Sequence, residues 1–498
     1  MENKGDISPS MTLPPEPPAS EGAASSVEAG RRAFRARSHR RQLSPAKARL
    51  RRTYWRRRLT LIACVAVLLS GIGWLVSGSG SPRLITSSDP AASRSGPVRL
   101  PSIVPIVPGT TRFSGTLSAL PFPSTGQSAV YVQGVGLLAA TADEQSEPMA
   151  SVTKVMTAVI VLGDHPLGDG SGPTFTMTAA DHAAWISDVE QGDSSLEVVA
   201  GERLTERQLL EGLMIPSACN IADYLARWDA GSTAAFVRKM NATATALGLR
   251  RTHYADASGL SPGSRSTAVD QAILGAYAMS VPGMISIVDH PSVRFPTGWV
   301  GGYNPALGQD GVIGLKSGFT DAAQICLVTA ARRSVGGHTV LVVSSTLGQP
   351  SSLEWAADID LQLLNAATSD LRSQAILRSY QPVARVVAAW SRERPTAVVT
   401  VPVTVVGWNG LVVDTAVVAS INPKPGVGPG WRSGSTMANV EVSTPAGVQS
   451  VTPAKLSRFL RSAPRGWTPP PGPTAGADRR RPRSRGTCTA GRTAPATS

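Results

Sequence analysis

Residues able to hold a metal or form a crosslink are scarce in this 498-residue chain, which has four cysteines, six histidines and seven lysines. The cysteines (Cys64, Cys219, Cys326, Cys488) show no Cys-x-x-Cys spacing, and no His-Glu-x-x-His occurs. That argues against a disulfide framework and a structural metal, and no cofactor is expected. His253, in Arg251-Thr-His-Tyr254, reads as a packed structural histidine rather than a ligand. A nucleic-acid groove is also excluded, although the formal net charge is +14. Residues 1–58 alone hold 14 Lys/Arg against 5 Asp/Glu, and Arg479-Arg-Arg-Pro-Arg483 adds more at the far end. The middle of the chain is close to balance, so its charge marks no polyanion partner.

Residues 1–58 form a basic, Pro/Ser/Ala-rich arm with little to bury, expected to be disordered. An uncharged apolar run follows from Leu59 to about Val76, long enough to cross a hydrocarbon core as one helix. Arg56-Arg57-Arg58 abut its start and Trp74 sits near its far end. The excess of positive charge puts the arm in the cytoplasm and everything after Ser77 outside. The expectation is a single-pass membrane protein anchored through 59–77 with its folded part extracytoplasmic. A cleavable signal peptide fits less well, since the preceding arm is long and no Ala-x-Ala site follows.

Residues 78–112 are Ser/Pro/Gly-rich without a periodic apolar pattern and read as a linker. From 113 to 367, strand-like runs stand at both ends (Ser128–Gln133, Gly136–Ala140, Val312–Leu315, Ile325–Thr329, Val340–Ser344). Helical signals lie between and after them. Thr205 and Gln208 make a capping box, Ser232 and Ser266 read as N-caps, and Ser351 or Ser352 caps a helix over Leu353–Ala367. This predicts an α/β domain with an antiparallel sheet packed by helices. Between 376 and 460, β-branched runs broken by Gly and Pro (Val383–Ala388, Ala397–Val406, Leu411–Asp414) predict a small all-β module. Residues 461–498 read as a disordered Pro/Arg-rich tail.

The chemistry centres on Met149-Ala-Ser-Val-Thr-Lys-Val-Met-Thr-Ala158. Ser151 and Lys154, three apart on a helix, share a face about 5–6 Å between Cβ atoms, so the amine can reach the hydroxyl. A lysine in water is protonated near neutral pH; burial or a second cation nearby turns it into a base. Ser-x-x-Lys alone is short enough to recur by chance, as Ser44-Pro-Ala-Lys47 in the basic arm illustrates. Two other places support Ser151. Met214-Ile-Pro-Ser-Ala-Cys-Asn220 puts Ser217 at a helix end, where a second hydroxyl could relay a proton to a leaving group. Lys316-Ser317-Gly318 closes the Val312–Leu315 strand with a cation, a hydroxyl for a carboxylate, and a glycine allowing close backbone approach.

On these residues the chain resembles the low-molecular-weight penicillin-binding proteins that are serine D-Ala-D-Ala carboxypeptidases, actinobacterial forms especially. The resemblance covers roughly 128–348 and extends to Leu209–Ser217, Ala235–Thr243, Thr252–Leu260 and Ser266–Asp270. It implies a penicillin-binding/β-lactamase-type fold. It also implies Ser151 as nucleophile, Lys154 as its base, Ser217 as relay and Lys316 as the carboxylate-side cation, with the N–H groups of Ser151 and Phe319 as oxyanion donors. Peptidoglycan stem peptides would be the substrate and β-lactams the inhibitors, with removal of the terminal D-Ala through an acyl-Ser151 intermediate. Three positions depart from the family's pattern. Cys219 stands where an asparagine is usual, with Asn220 one place late; Ser317 replaces a threonine; and only Asn304 remains of an Asn-x-Asn pair. Cys219 and Asn304 are nonetheless read as substrate-binding, with Ser317, Gly318 and Phe319. A degenerate relative that binds wall peptides or β-lactams with little turnover is the alternative. A β-lactamase would need a base for deacylating water, and none is marked.

Overall fold

Strands open and close the fold, with helices between. A computed structural model describes residues 100–461, apart from 143, 168–169, 422–429 and 459. In chain order come β1 (Ser102–Pro105), β2 (Thr110–Arg112), β3 (Gln127–Val132) and β4 (Gly136–Ala140). A 3-10 turn over Ala150–Thr153 leads into α1 (Lys154–Asp164), then α2 (Ala179–Gln191), α3 (Glu206–Met214), α4 (Cys219–Ala230), α5 (Thr233–Ala246) and α6 (Ala268–Ala278). Next are β5 (Val312–Thr320), β6 (Gln324–Val335), β7 (His338–Gln349) and α7 (Leu353–Asp370). The last part holds β8 (Leu371–Leu377), β9 (Pro382–Val387), β10 (Thr396–Val399), β11 (Val403–Trp408), β12 (Val412–Ala419), β13 (Thr436–Thr444) and β14 (Gly447–Leu456).

The first sheet is antiparallel, in the order β5-β6-β7-β3-β4. Successive side chains on a strand point to opposite faces, and this alternation sorts the core. Ala129, Val328 and Val343 face a cluster containing α1 and α3–α6, while their neighbours Val130, Leu327 and Val342 face α7. Helix α1 is apolar nearly all round, and nine of its eleven residues are buried, as its central position requires. Such a helix makes a stiff mount for Lys154 at its first turn.

The caps follow the sequence closely. Thr205 and Gln208 form the reciprocal box at α3, Ser232 accepts from Ala235 N, and Ser352 accepts from Trp355 N. At α6 the cap is Thr267, not Ser266. Ser266 pairs with Glu147 in a two-residue bridge and bonds Thr252 and Gln271, so the helix starts one residue later. Helix α2, which carries no fully buried residue, gave no apolar signal; a Thr178–Asp181 capping box starts it and Gly192 in the left-handed region ends it.

The second sheet runs β1-β9-β10-β14-β13-β12-β2. Its two edge strands are thus β1 and β2, which only residues 106–109 separate in the chain. The five steps from Pro105 to Thr110 span at most about 18 Å, so the sheet must curl until its edges approach each other. β1 indeed also packs on β12. Residues 102–112 therefore belong to this barrel-like module and not to a linker, and Phe113, fully buried, belongs to its core rather than to the first domain. The strands are three and four residues long, and their partners lie some three hundred positions away, so no local periodicity announces them. One apolar cluster joins the α7 face of the first sheet to the module's interior.

No helix among the described residues is long and apolar enough to cross a membrane. The arm (1–58), the apolar run (59–77) and the tail beyond Arg461 lie outside the described residues.

Candidate active site

Ser151 lies in the 3-10 turn that feeds α1, and Lys154 is the first residue of that helix. Lys154 is fully buried, and its Nζ has three partners: Ser151 Oγ at 2.8 Å, Cys219 Sγ at 3.3 Å and the Ser258 carbonyl at 2.8 Å. Ala150, just before the nucleophile, and Ser217 both hold positive φ (48° and 66°). Each such residue costs roughly 1–3 kcal/mol and persists only where its surroundings enforce it. Here Ala150 is braced by Gly259, where an added Cβ would sit 1.8 Å from the Ala150 carbonyl oxygen. Ser217 forms the break between α3 and α4, and its Oγ is buried without a protein partner at the wall of the cleft.

The cleft measures about 520 Å³, and Ser151, Ser217, Cys219, Ser317, Gly318 and Phe319 all line it. Strand β5 is the free edge of its sheet and forms one wall. It lies so close to the Ser151 turn that a Cβ on Gly318 would come within 2.6 Å of Ser151 N. Phe319, 58% exposed, stands at the rim. Asp193 and Asp321 also line the cleft, and neither carried a signal in the sequence.

Lys316 is buried and donates to the Ser317 carbonyl at 2.8 Å. Burial first, then the charge of Lys154, hold its amine well below the usual lysine range. Burial pushes the Cys219 thiol up, against a partial pull from Lys154. The charge of Lys154 thus reaches Lys316, which lines the smaller pocket beside Ser317.

Asn220 does not take over from Cys219. Its amide donates to the Leu196 carbonyl and accepts from Leu196 N, while Cys219 N bonds the Ser194 carbonyl. Asn220 thus clamps the loop carrying Asp193 and Ser194, and points away from Lys154. Asn304 departs from its expected place. It lines a smaller pocket of about 120 Å³ with Lys316 and Ser317, not the main cleft. Its side-chain oxygen accepts from Ala306 N across Pro305, while its Nδ2 is buried without a hydrogen-bond partner among the described residues. His253 is exposed rather than packed: its backbone bridges Arg265 and the buried neighbour is Tyr254. Cys219 and Cys326 are both free. Sequence reasoning missed Ser258, which acts through its main-chain carbonyl and so leaves no side-chain signature.

A serine hydroxyl against a buried amine, a second hydroxyl on the same cleft, and a second lysine on the edge strand suit attack on a carbonyl next to a carboxylate. Residues 126–348 match the peptidase S11 family, described as D-alanyl-D-alanine carboxypeptidase. The chain is 31% identical over 269 residues to a D-alanyl-D-alanine carboxypeptidase of Streptomyces sp. K15, covering 48% of this chain and 90% of that protein. It is 33% identical over 216 residues to the D-alanyl-D-alanine carboxypeptidase DacB2 of Mycobacterium tuberculosis, covering 41% and 69% respectively. Among solved structures, penicillin binding protein 5 of Haemophilus influenzae superposes with a TM-score of 0.51 at 18% identity, covering 70% of this chain and all of that one, a likeness of fold. With nine-tenths of the Streptomyces relative matched above 30% identity, the chain belongs to the D-alanyl-D-alanine carboxypeptidase family of serine peptidases.

Proposed function

We propose that the protein removes the terminal D-Ala from peptidoglycan stem peptides, and that β-lactams acylate the same serine. The observation that carries this reading is the 2.8 Å contact between Lys154 Nζ and Ser151 Oγ, with Ser151 on the main cleft and Lys316 on the smaller pocket that shares Ser317 with it. The substrate's D-Ala-D-Ala end lies along the free edge of β5, adding to the sheet as an extended segment. Its terminal carboxylate meets the Lys316–Ser317 end, and the scissile carbonyl lies over Ser151.

Ser151 Oγ then bonds to the carbonyl carbon while its proton passes to Lys154 Nζ. The oxyanion takes hydrogen bonds from the N–H groups of Ser151 and Phe319, donors of a kind worth about 100- to 1000-fold in rate each. The C–N bond breaks, and Ser217 relays a proton to the departing D-Ala amine. Water attacks the acyl ester, returns a proton to Ser151 Oγ and frees the shortened peptide. A β-lactam opens its ring at the same step and remains as an ester on Ser151. Cys219 keeps the contact that faces Lys154 and offers the substrate only a weak donor.

The placement outside the membrane rests on Arg56–Arg58 and the apolar run 59–77: the arm lies in the cytoplasm, and the cleft faces the wall. D-Ala release from a stem pentapeptide by the 100–461 fragment tests the function. Release at a measurable turnover supports the hydrolase, whereas penicillin acylation without release would favour a degenerate binder.

A further inference from the structure

In the loop from Asp256 to Ser264, one carboxylate collects five hydrogen bonds. Asp256 Oδ2 accepts from Ser258 Oγ, Gly259 N and Leu260 N, each at 2.9 Å, and from Ser261 N at 3.2 Å. Its Oδ1 accepts a short bond from Ser264 Oγ, which in turn accepts from the backbone N–H groups of Ala255 and Asp256. Three successive backbone N–H groups converging on one acceptor form a nest, and a nest fixes the peptide planes that contribute to it.

Those planes touch the reacting groups at three points. The Ser258 carbonyl accepts from Lys154 Nζ at 2.8 Å. Gly259, at φ 86°, presses on the Ala150 carbonyl directly before the nucleophile. Leu260 lines the cleft. Helix α1 is tied to the same loop again by Thr157 Oγ1, which donates to the Ala257 carbonyl at 2.7 Å.

A carbonyl beside Lys154 does more than fill space. An ammonium carries three protons, a neutral amine two protons and one lone pair. The Ser258 carbonyl can only accept, so it takes one N–H in either state. In the neutral amine the second N–H has Cys219 Sγ as its acceptor, and the lone pair is left aimed at Ser151 Oγ–H. The carbonyl thus decides which direction of Lys154 is basic. We propose that Asp256 is a positioning residue for acylation: by clamping the Ser258–Ser261 peptide planes, it orients the Lys154 lone pair onto Ser151. This rests on the reading of Lys154 as the base of Ser151.

The test follows benzylpenicillin acylation of the full-length protein, with the limiting acylation rate separated from the saturation constant. In Asp256→Ala the limiting rate is expected to fall about 10- to 100-fold, the scale of a misplacement near 1 Å, while the saturation constant moves less than about threefold. Asp256→Asn should recover part of the rate, since its oxygen can keep the N–H groups of Gly259, Leu260 and Ser261 while the bond from Ser264 Oγ is lost. Thermal melts of each variant give the folded fraction, so rates are stated per folded molecule. Wild-type rate in Asp256→Ala, a loss carried wholly by the saturation constant, or an Asn variant as slow as the Ala variant would each overturn the proposal. D-Ala release is measured in parallel: acylation without release counts against the hydrolase and leaves Asp256 judged on acylation. A wild type that is never acylated overturns both.

Discussion

Cys219 Sγ stands 3.3 Å from Lys154 Nζ, while Asn220 beside it turns away to hold both backbone groups of Leu196. One step along a helix rotates a side chain by about 100°. The family's asparagine function therefore cannot be supplied from one position later, and the thiol is what meets the base.

Cys219→Asn should raise kcat/KM for a D-Ala-D-Ala peptide by roughly tenfold, because the amide can accept from Lys154 and donate to the substrate at once. That corresponds to a hydrogen bond of about 1 kcal/mol or slightly more. Steady-state D-Ala release on matched folded protein checks it. An unchanged or slower variant would mean that the site has adapted to the thiol.

The strap formed by β1 and β2 closes the second sheet on both edges, so a fragment starting at residue 113 should lose it. Such a fragment is expected to melt several degrees below one starting at residue 100, with the loss seated in the module. Paired thermal melts of the two fragments decide this. Equal melting temperatures would show that the strap is dispensable.

Asp360 is fully buried on α7, accepting from Thr329 at 2.5 Å and from Ser344 and Thr346 at 2.7 Å each. Burial pushes its pKa up to about 6, against the pull of those three hydroxyls. A raised carboxylate pKa means that the protonated form fits the fold better. Its contribution is complete below about pH 4, where the unfolded chain is also protonated, and is lost as pH rises through about 6. The span is about 3 kcal/mol. Glu206, pushed up to about 7 by burial, and Asp188, pushed up to about 6 by burial and by Asp193, act with the same sign. Urea denaturation should therefore show these groups' contribution falling between about pH 4 and pH 7, and Asp360→Asn should flatten part of that slope. An Asn variant with the wild-type slope would remove Asp360 from the account.

What the sequence revealed depended on whether a residue acts through local spacing. Ser151 and Lys154 lie one turn apart and bond each other, so that pair was legible in the chain, as was Lys316 at the end of a recognisable strand. Thr205, Ser232 and Ser352 were legible for the same reason, since a cap acts within three residues. Asn304 shares the smaller pocket with Lys316 and Ser317, and its oxygen also serves its own turn across Pro305, a double use that spacing alone does not show. The strap was invisible because strands of three and four residues carry no period, and Ser258 because a carbonyl belongs to every residue type. Asp256 did leave a trace: an acidic residue two before Ser-Gly is the composition from which a nest is built.

The covalent state of Ser151 tests the central claim most directly. Benzylpenicillin added to the 100–461 protein should raise its intact mass by one drug molecule, mapped to the peptide bearing Ser151. Ser151→Ala should abolish the adduct while the fold is retained. An adduct that survives in Ser151→Ala, or that maps to Ser217, would contradict the assignment of the nucleophile.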